Sequence, residues 1–170
     1  MNKIQAILLF IAVMTLPLIT LFIPDEQEEG PASLEGVTLQ NMQGQNFRFS
    51  LQLSEKPVLF VFWSVTCGSC IEEIPFLINM HQKHKNELTI MGIHPPGHPQ
   101  VIINRFLKTY PEQIPYMLAI DTESKLIQSF NVSVLPRTIL VSRRGEILYD
   151  HLGFDKSKAE EIENEIISKL

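Results

Sequence analysis

The chain is 170 residues long, with a formal net charge of −5 and 45% hydrophobic residues, which leaves room for one compact domain plus a tail. That apolar share excludes a mainly disordered chain, and an acidic balance with no Lys/Arg block argues against nucleic-acid binding, which needs a basic face. The two cysteines rule out a multi-bridge secreted scaffold, and no second CxxC or close His pair completes a structural zinc set.

From Ile4 to Ile23 the chain is almost unbroken apolar sequence, interrupted by Gln5, Thr15, Pro17 and Thr20. A bilayer core needs roughly 20 such residues in a helix. Lys3 precedes the run, which predicts a cytoplasmic N-terminus with the rest of the chain across the membrane. Leu21-Phe22-Ile23-Pro24 offers no small-residue cleavage site, so residues 1–24 are expected to be an uncleaved signal-anchor. Residues 25–33, acidic with Gly30 and Pro31, read as an exposed linker, and residues 34–170 as the folded domain.

Within that domain, Val37-Thr38-Leu39 and Phe47-Arg48-Phe49 alternate around Gln43-Gly44-Gln45, predicting a hairpin. Pro57 to Trp63 is a continuous apolar run, the pattern of a strand buried on both faces. Helical spacing follows, with Cys67, Cys70, Ile74, Leu77 and His81 on one face. Leu88 to Ile93 is the next strand. A Pro-rich turn from His94 to Pro99 then opens a helix carrying Ile102, Ile103, Phe106 and Tyr110. Pro115 to Ile120 predicts a short strand, and Asp121 to Phe130 a helix. Thr138–Ser142 and Glu146–His151 form a hairpin around Gly145. Ser157-x-x-Glu160 resembles a capping box opening a last helix with Ala159, Ile162, Ile166 and Leu170 as its stripe. Strands alternating with helices around a buried central strand mean an α/β sandwich.

The chemistry lies in Trp63-Ser-Val-Thr-Cys67-Gly-Ser-Cys70, a CxxC where a buried strand hands over to a helix. The unpaired N–H groups and positive dipole end of a helix stabilise a thiolate there. Cys67 is expected at the wet edge as nucleophile, and Cys70, one turn on, beneath it as the resolving thiol. Glu72 and Glu73 are expected in the first turn, partly offsetting that stabilisation. Two cysteines three apart also occur by chance in buried helices; the strand-to-helix placement and the trailing Trp63 favour redox activity.

FVFWSVTCGSCIEEIP resembles the active-site segment of the thioredoxin superfamily, specifically its anchored TlpA/ResA/DsbE-like branch. The match falls at Phe62, Trp63, Cys67, Cys70, Glu73 and Pro75. The segment from Phe130 through Leu135, Pro136 and Thr138 to Gly145 resembles that branch's second signature. The resemblance implies a thioredoxin-like three-layer sandwich with an N-terminal β-hairpin and a central αβ insertion. It implies a redox disulfide between Cys67 and Cys70, and a cis-proline at Pro136 beside Leu135, both contacting substrate. Trp63, Glu73 and Pro75 become supporting residues; no metal and no cofactor are implied. Thr66 replaces the tryptophan usual before the first cysteine, and Val61 stands where cytoplasmic thioredoxins carry a buried aspartate. The branch's alternative carboxylate position falls near His94-Pro95-Pro96, where none is present, and His94 is expected to be an exposed loop residue. Arg137 either favours the thiolate or is solvated.

The function so implied is thiol–disulfide exchange on exported proteins, as a reductase, with apocytochrome c a candidate substrate. Working in an oxidising compartment, it needs an electron donor of the DsbD type. The implied location is the bacterial inner membrane, single-pass, with the catalytic domain on the periplasmic side. The alternative reading is a copper-binding chaperone on the same fold, since soft thiolates suit Cu(I) and His94 and His98 share a loop. Peroxidase chemistry lacks its proline before the first cysteine, and a docking module would be indifferent to loss of either cysteine.

Overall fold

A computed structural model describes residue 34, residues 36–50 and residues 54–170. The expected anchor and linker lie outside the described residues; among the described ones, no helix is long and apolar enough to cross a membrane.

The apolar run after Pro57 becomes β3 (Val58–Phe62), with all five residues buried. Being apolar on both faces, it can sit only where both faces and both edges are covered. It pairs in parallel with β4 (Thr89–His94) and antiparallel with β6 (Arg137–Val141). β5 (Met117–Ile120) extends the parallel part beside β4. β1 (Val37–Asn41) and β2 (Asn46–Phe49) form the predicted hairpin, with Val37 opposite Phe49, and β1 joins β5 antiparallel. β7 (Ile147–Leu152) closes the far side against β6, so the order is β2-β1-β5-β4-β3-β6-β7. The central insertion thus supplies β5, the strand that fastens the hairpin to the sheet.

Among the described residues, four α-helices cover this sheet. Alternation along β3 sends Leu59 and Val61 to one face, where they pack with Ile74, Leu77 and Ile78 of α1 (Gly68–His84) and Ile162 and Ile166 of α4 (Ala159–Ile167). Phe106 and Tyr110, at the end of α2 (Gln100–Thr109), pack on that same side. Val58, Phe60 and Phe62 point the other way, to Leu126 of α3 (Lys125–Ser129) and Phe130. There Phe60 lies 5.4 Å from Phe49 and 5.5 Å from Phe130, centroid to centroid. Fully burying such a side chain contributes roughly 1.5–3 kcal/mol. The architecture is the expected thioredoxin-like α/β fold.

Along α2, Ile103 is fully buried and Ile102 is 39% exposed, so that helix meets the domain along a narrow stripe. Two expectations for the last helix are corrected. The last helix does not begin at a Ser157 capping box. Asp155 caps a short 3-10 turn, Lys156–Lys158, by accepting from the Ser157 N–H at 2.9 Å, and the α-helix starts only at Ala159. Leu170, placed in that helix's stripe, is exposed beyond its end.

Candidate active site

The edge between β3 and α1 builds the site. Trp63 continues β3 by donating its N–H to the Ile93 carbonyl at 3.0 Å, and a turn through Val65 and Thr66 delivers Cys67 to the N-cap of α1. An N-cap residue is extended, with its side chain facing the first free N–H groups of the helix. Cys67 has φ −97° and ψ 108°, and its Sγ accepts from the Cys70 N–H at 3.3 Å. The Ser69 hydroxyl lies 3.6 Å from the same sulfur. Cys67 and Cys70 are joined by a disulfide of 2.06 Å. Cys67 is half-buried, whereas Cys70 is 1% exposed, so the two sulfurs divide into an outer and an inner one as expected. Gly68 is simply the first helical residue and is not among the positive-φ glycines, so the turn does not depend on glycine's freedom.

Across from the sulfurs the Leu135–Pro136 peptide is cis. Leu135 packs into the apolar cluster that holds Trp63, Cys67 and Cys70. It lies outside the β3–β6 ladder, which ends at Phe62 opposite Arg137. The site residues picked out from sequence at Trp63, Cys67, Cys70, Leu135 and Pro136 therefore meet at one end of the sheet. Pro75 does not join them: it lies exposed inside α1, further along the helix.

Glu73 is the largest departure. Neither it nor Glu72 lies in the first turn of α1; Glu73 is 2% exposed, with its Oε1 accepting from the Thr138 hydroxyl of β6 at 3.0 Å. Residues three apart on a helix share a face, so Glu73 stands on the inward side of α1 one turn after Cys70. Burial pushes its carboxyl from 4.5 up to about 7, and the Thr138 bond offsets part of that rise. The buried carboxylate that seemed missing, with apolar Val61 in one expected place and His94 near the other, comes from the helix.

His94 is also corrected. It is the last residue of β4 and fully buried, not an exposed loop histidine. Its Nδ1 lies 2.6 Å from the Pro95 carbonyl oxygen, which can only accept, so Nδ1 carries the proton. Nε2 is then the acceptor for the Val65 N–H at 3.4 Å, in the turn leading to Cys67. Burial lowers the pKa of the imidazole, as does the neighbouring His98, against the opposing effect of the Pro95 bond. Arg137 resolves in a third way: it donates from Nε and one terminal nitrogen to Asp150 at 2.8 and 2.6 Å, which commits its charge to a surface pair.

A family model described as Redoxin matches residues 23–166. The chain belongs to the Redoxin family. Among curated Redoxin-like relatives, the thiol-disulfide oxidoreductase ResA of Bacillus subtilis is 27% identical over 111 residues, 65% of this chain and 60% of that protein. ResA of Halalkalibacterium halodurans is 27% identical over 116 residues, 68% of this chain and 64% of that protein. The match therefore spans less than two thirds of the length of either relative. Among solved structures, a Chlorobium tepidum chain described as a thiol:disulfide interchange protein DsbE superposes with a TM-score of 0.70 at 21% identity, covering 83% of this chain and 97% of that one. StoA from Bacillus subtilis gives 0.62 at 17%, covering 75% and 93%. At those identities the likeness shows the fold. Thr66, immediately before Cys67 in this Redoxin member, is exposed, with its hydroxyl 3.2 Å from that of Ser64.

Proposed function

We propose that this Redoxin-family protein is a thiol–disulfide oxidoreductase acting on exported proteins through Cys67 and Cys70. The observation that carries the reading is the pair of sulfurs at a helix N-cap, one reachable from solvent and one sealed, beside Leu135 and Pro136.

In the reductive direction, the Cys67 thiolate attacks a substrate disulfide, whose S–S bond breaks to give a Cys67–substrate mixed disulfide and one substrate thiolate. Glu73 takes the proton from the Cys70 thiol. Cys70 then attacks Cys67 Sγ, the Cys67–Cys70 bond re-forms, and the second substrate thiolate leaves. Two electrons pass from the protein dithiol to the substrate. A carboxyl with a pKa of about 7 is matched to this exchange at neutral pH. The backbone of Leu135, beyond the end of the β3–β6 ladder, is free to align an extended substrate segment as an added strand.

The protein is further read as a membrane-tethered reductase, its residues 1–24 spanning the bacterial inner membrane and its domain on the periplasmic side. The apolar Ile4–Ile23 run and the Lys3 before it support this. Apocytochrome c is a fitting substrate, and a DsbD-type donor a fitting source of electrons. A copper chaperone is disfavoured because both ring nitrogens of His94 are already engaged.

Trapping tests the reading. The Cys70→Ala variant, expressed in the native compartment, should accumulate mixed disulfides through Cys67, and the captured proteins name the substrate. Accumulation in Cys67→Ala instead would reverse the two roles. Its absence from both variants would remove the proposed activity.

A further inference from the structure

The face of the sheet beneath α1 holds more polar chemistry than packing requires. Among the described residues, Glu73 Oε2 is buried without a hydrogen-bond partner, which is uncommon for a buried oxygen; the Tyr149 hydroxyl is buried too, and the acceptor it faces is the Glu165 carboxylate of α4. Glu73 and Tyr149 both lie on the α1 face of the sheet. Thr138, which donates to Glu73, stands directly opposite His151, and Tyr149 opposite Leu140. Tyr149 is therefore diagonal to Thr138 on the same face, with backbones about 7–8 Å apart, a gap that a long aromatic side chain reaches across. Tyr149 packs against the cluster formed by α1, β6 and α4, and its ring stacks on that of half-buried His151 at 5.9 Å.

This arrangement matters when a substrate is attached. A protein joined to Cys67 covers the outer sulfur, and Cys70 and Glu73 are 1% and 2% exposed, so the proton that Cys70 gives to Glu73 needs another way out. We propose that Tyr149 is a positioning residue for Glu73, relaying its proton through a bridging water toward solvent between β7 and α4. Resting on the oxidoreductase reading, this names a route for its proton. A phenol can accept one hydrogen bond and donate another, so the carboxyl proton passes to the bridge and thence to the hydroxyl as the hydroxyl proton moves outward. No electron moves in the relay. Burial and the Glu165 carboxylate of α4 push the Tyr149 phenol up to about 12, so it stays neutral and competent in both directions at pH 7.

Other titratable groups face the same space. Tyr116, ahead of β5, is buried, and burial followed by Glu73 raises its pKa. His81 of α1 lies 6.3 Å from Tyr116, ring to ring, and Glu161 joins Glu165 on the α4 side. Among the described residues His81 Nδ1 is likewise buried without a partner, but Tyr149 is the hydroxyl placed between Glu73 and the acidic edge of α4.

The test compares wild-type full-length protein with Tyr149→Phe, which keeps the ring and removes the oxygen. In the oxidised protein, 13C NMR should show Glu73 titrating roughly half a pH unit or more higher in the variant, because the bridging water that donates to the charged form loses the hydroxyl that holds it. An unchanged titration overturns the proposal, and this readout needs no turnover. In the reduced protein, the Cys70-dependent resolving step at pH 7 should slow roughly tenfold, while alkylation of Cys67 by iodoacetamide keeps its rate. Equal resolving rates, or equal slowing of both steps, overturn it. If the wild-type protein reduces no disulfide at all while the Glu73 shift is present, it is the oxidoreductase reading that falls.

Discussion

Replacing Glu73 with glutamine removes a buried charge while keeping an oxygen able to accept from Thr138. The folded state holds the Glu73 proton more tightly than the unfolded chain, with a pKa of about 7 against 4.5. Stability from this group is therefore complete below pH 4.5 and is lost as pH rises through about 7. Each pH unit between the two values is worth about 1.4 kcal/mol, so ionised Glu73 should cost the fold about 3 kcal/mol by pH 8. Urea unfolding of the oxidised protein between pH 4 and pH 8.5 measures this directly. Wild type and Glu73→Gln should differ little in their pH trend at the acid end and diverge upward, the variant gaining up to about 3 kcal/mol relative to wild type. Curves that stay parallel from acid to alkali would refute the reasoning, because a solvated carboxylate gives no such divergence. The same variant should lose the neutral-pH resolving step, since an amide cannot accept the Cys70 proton.

His94 should remain a neutral, Nδ1-protonated imidazole at pH 6.5, read by 15N shifts in the oxidised protein; an imidazolium at that pH would contradict its bond to the Val65 N–H. Gly92→Ala should destabilise the domain by about 1–3 kcal/mol in urea, because a Cβ there would lie 2.6 Å from Leu118 Cδ2 and 3.2 Å from Trp63 Nε1. A loss under roughly 0.5 kcal/mol would show that Trp63 is not packed against β4 as described.

How much of this was legible follows from what each signal encodes. The all-apolar stretch of β3 announces its own burial, and the CxxC after it places both sulfurs, since strand-to-helix geometry is local. The hairpin at Gly145 was readable because its φ of 90° demands glycine. The orientation of Glu73 was not, because a charged residue near a helix start ordinarily faces water. Only the hydroxyl of Thr138, 65 positions away, reveals that it turns inward; the Glu73-x-Pro75 match marked the position without giving the reason. His94 was misjudged because the prolines after it suggested a loop, whereas β4 extends one residue further and is covered by Trp63 at 5.4 Å. The Asp155 cap was hidden by a plausible Ser-x-x-Glu two residues on, and which of two adjacent caps wins is decided by the 3-10 turn between them.

The proposed exchange requires an outer sulfur that reacts with external reagents and an inner one that does not. Differential alkylation of the reduced protein at pH 6.5, read by peptide mass spectrometry, measures that division. Cys67 should be modified faster than the cysteine of an unfolded peptide while Cys70 remains unmodified. Modification of Cys70 first, or of both at the rate of a free cysteine, would contradict it.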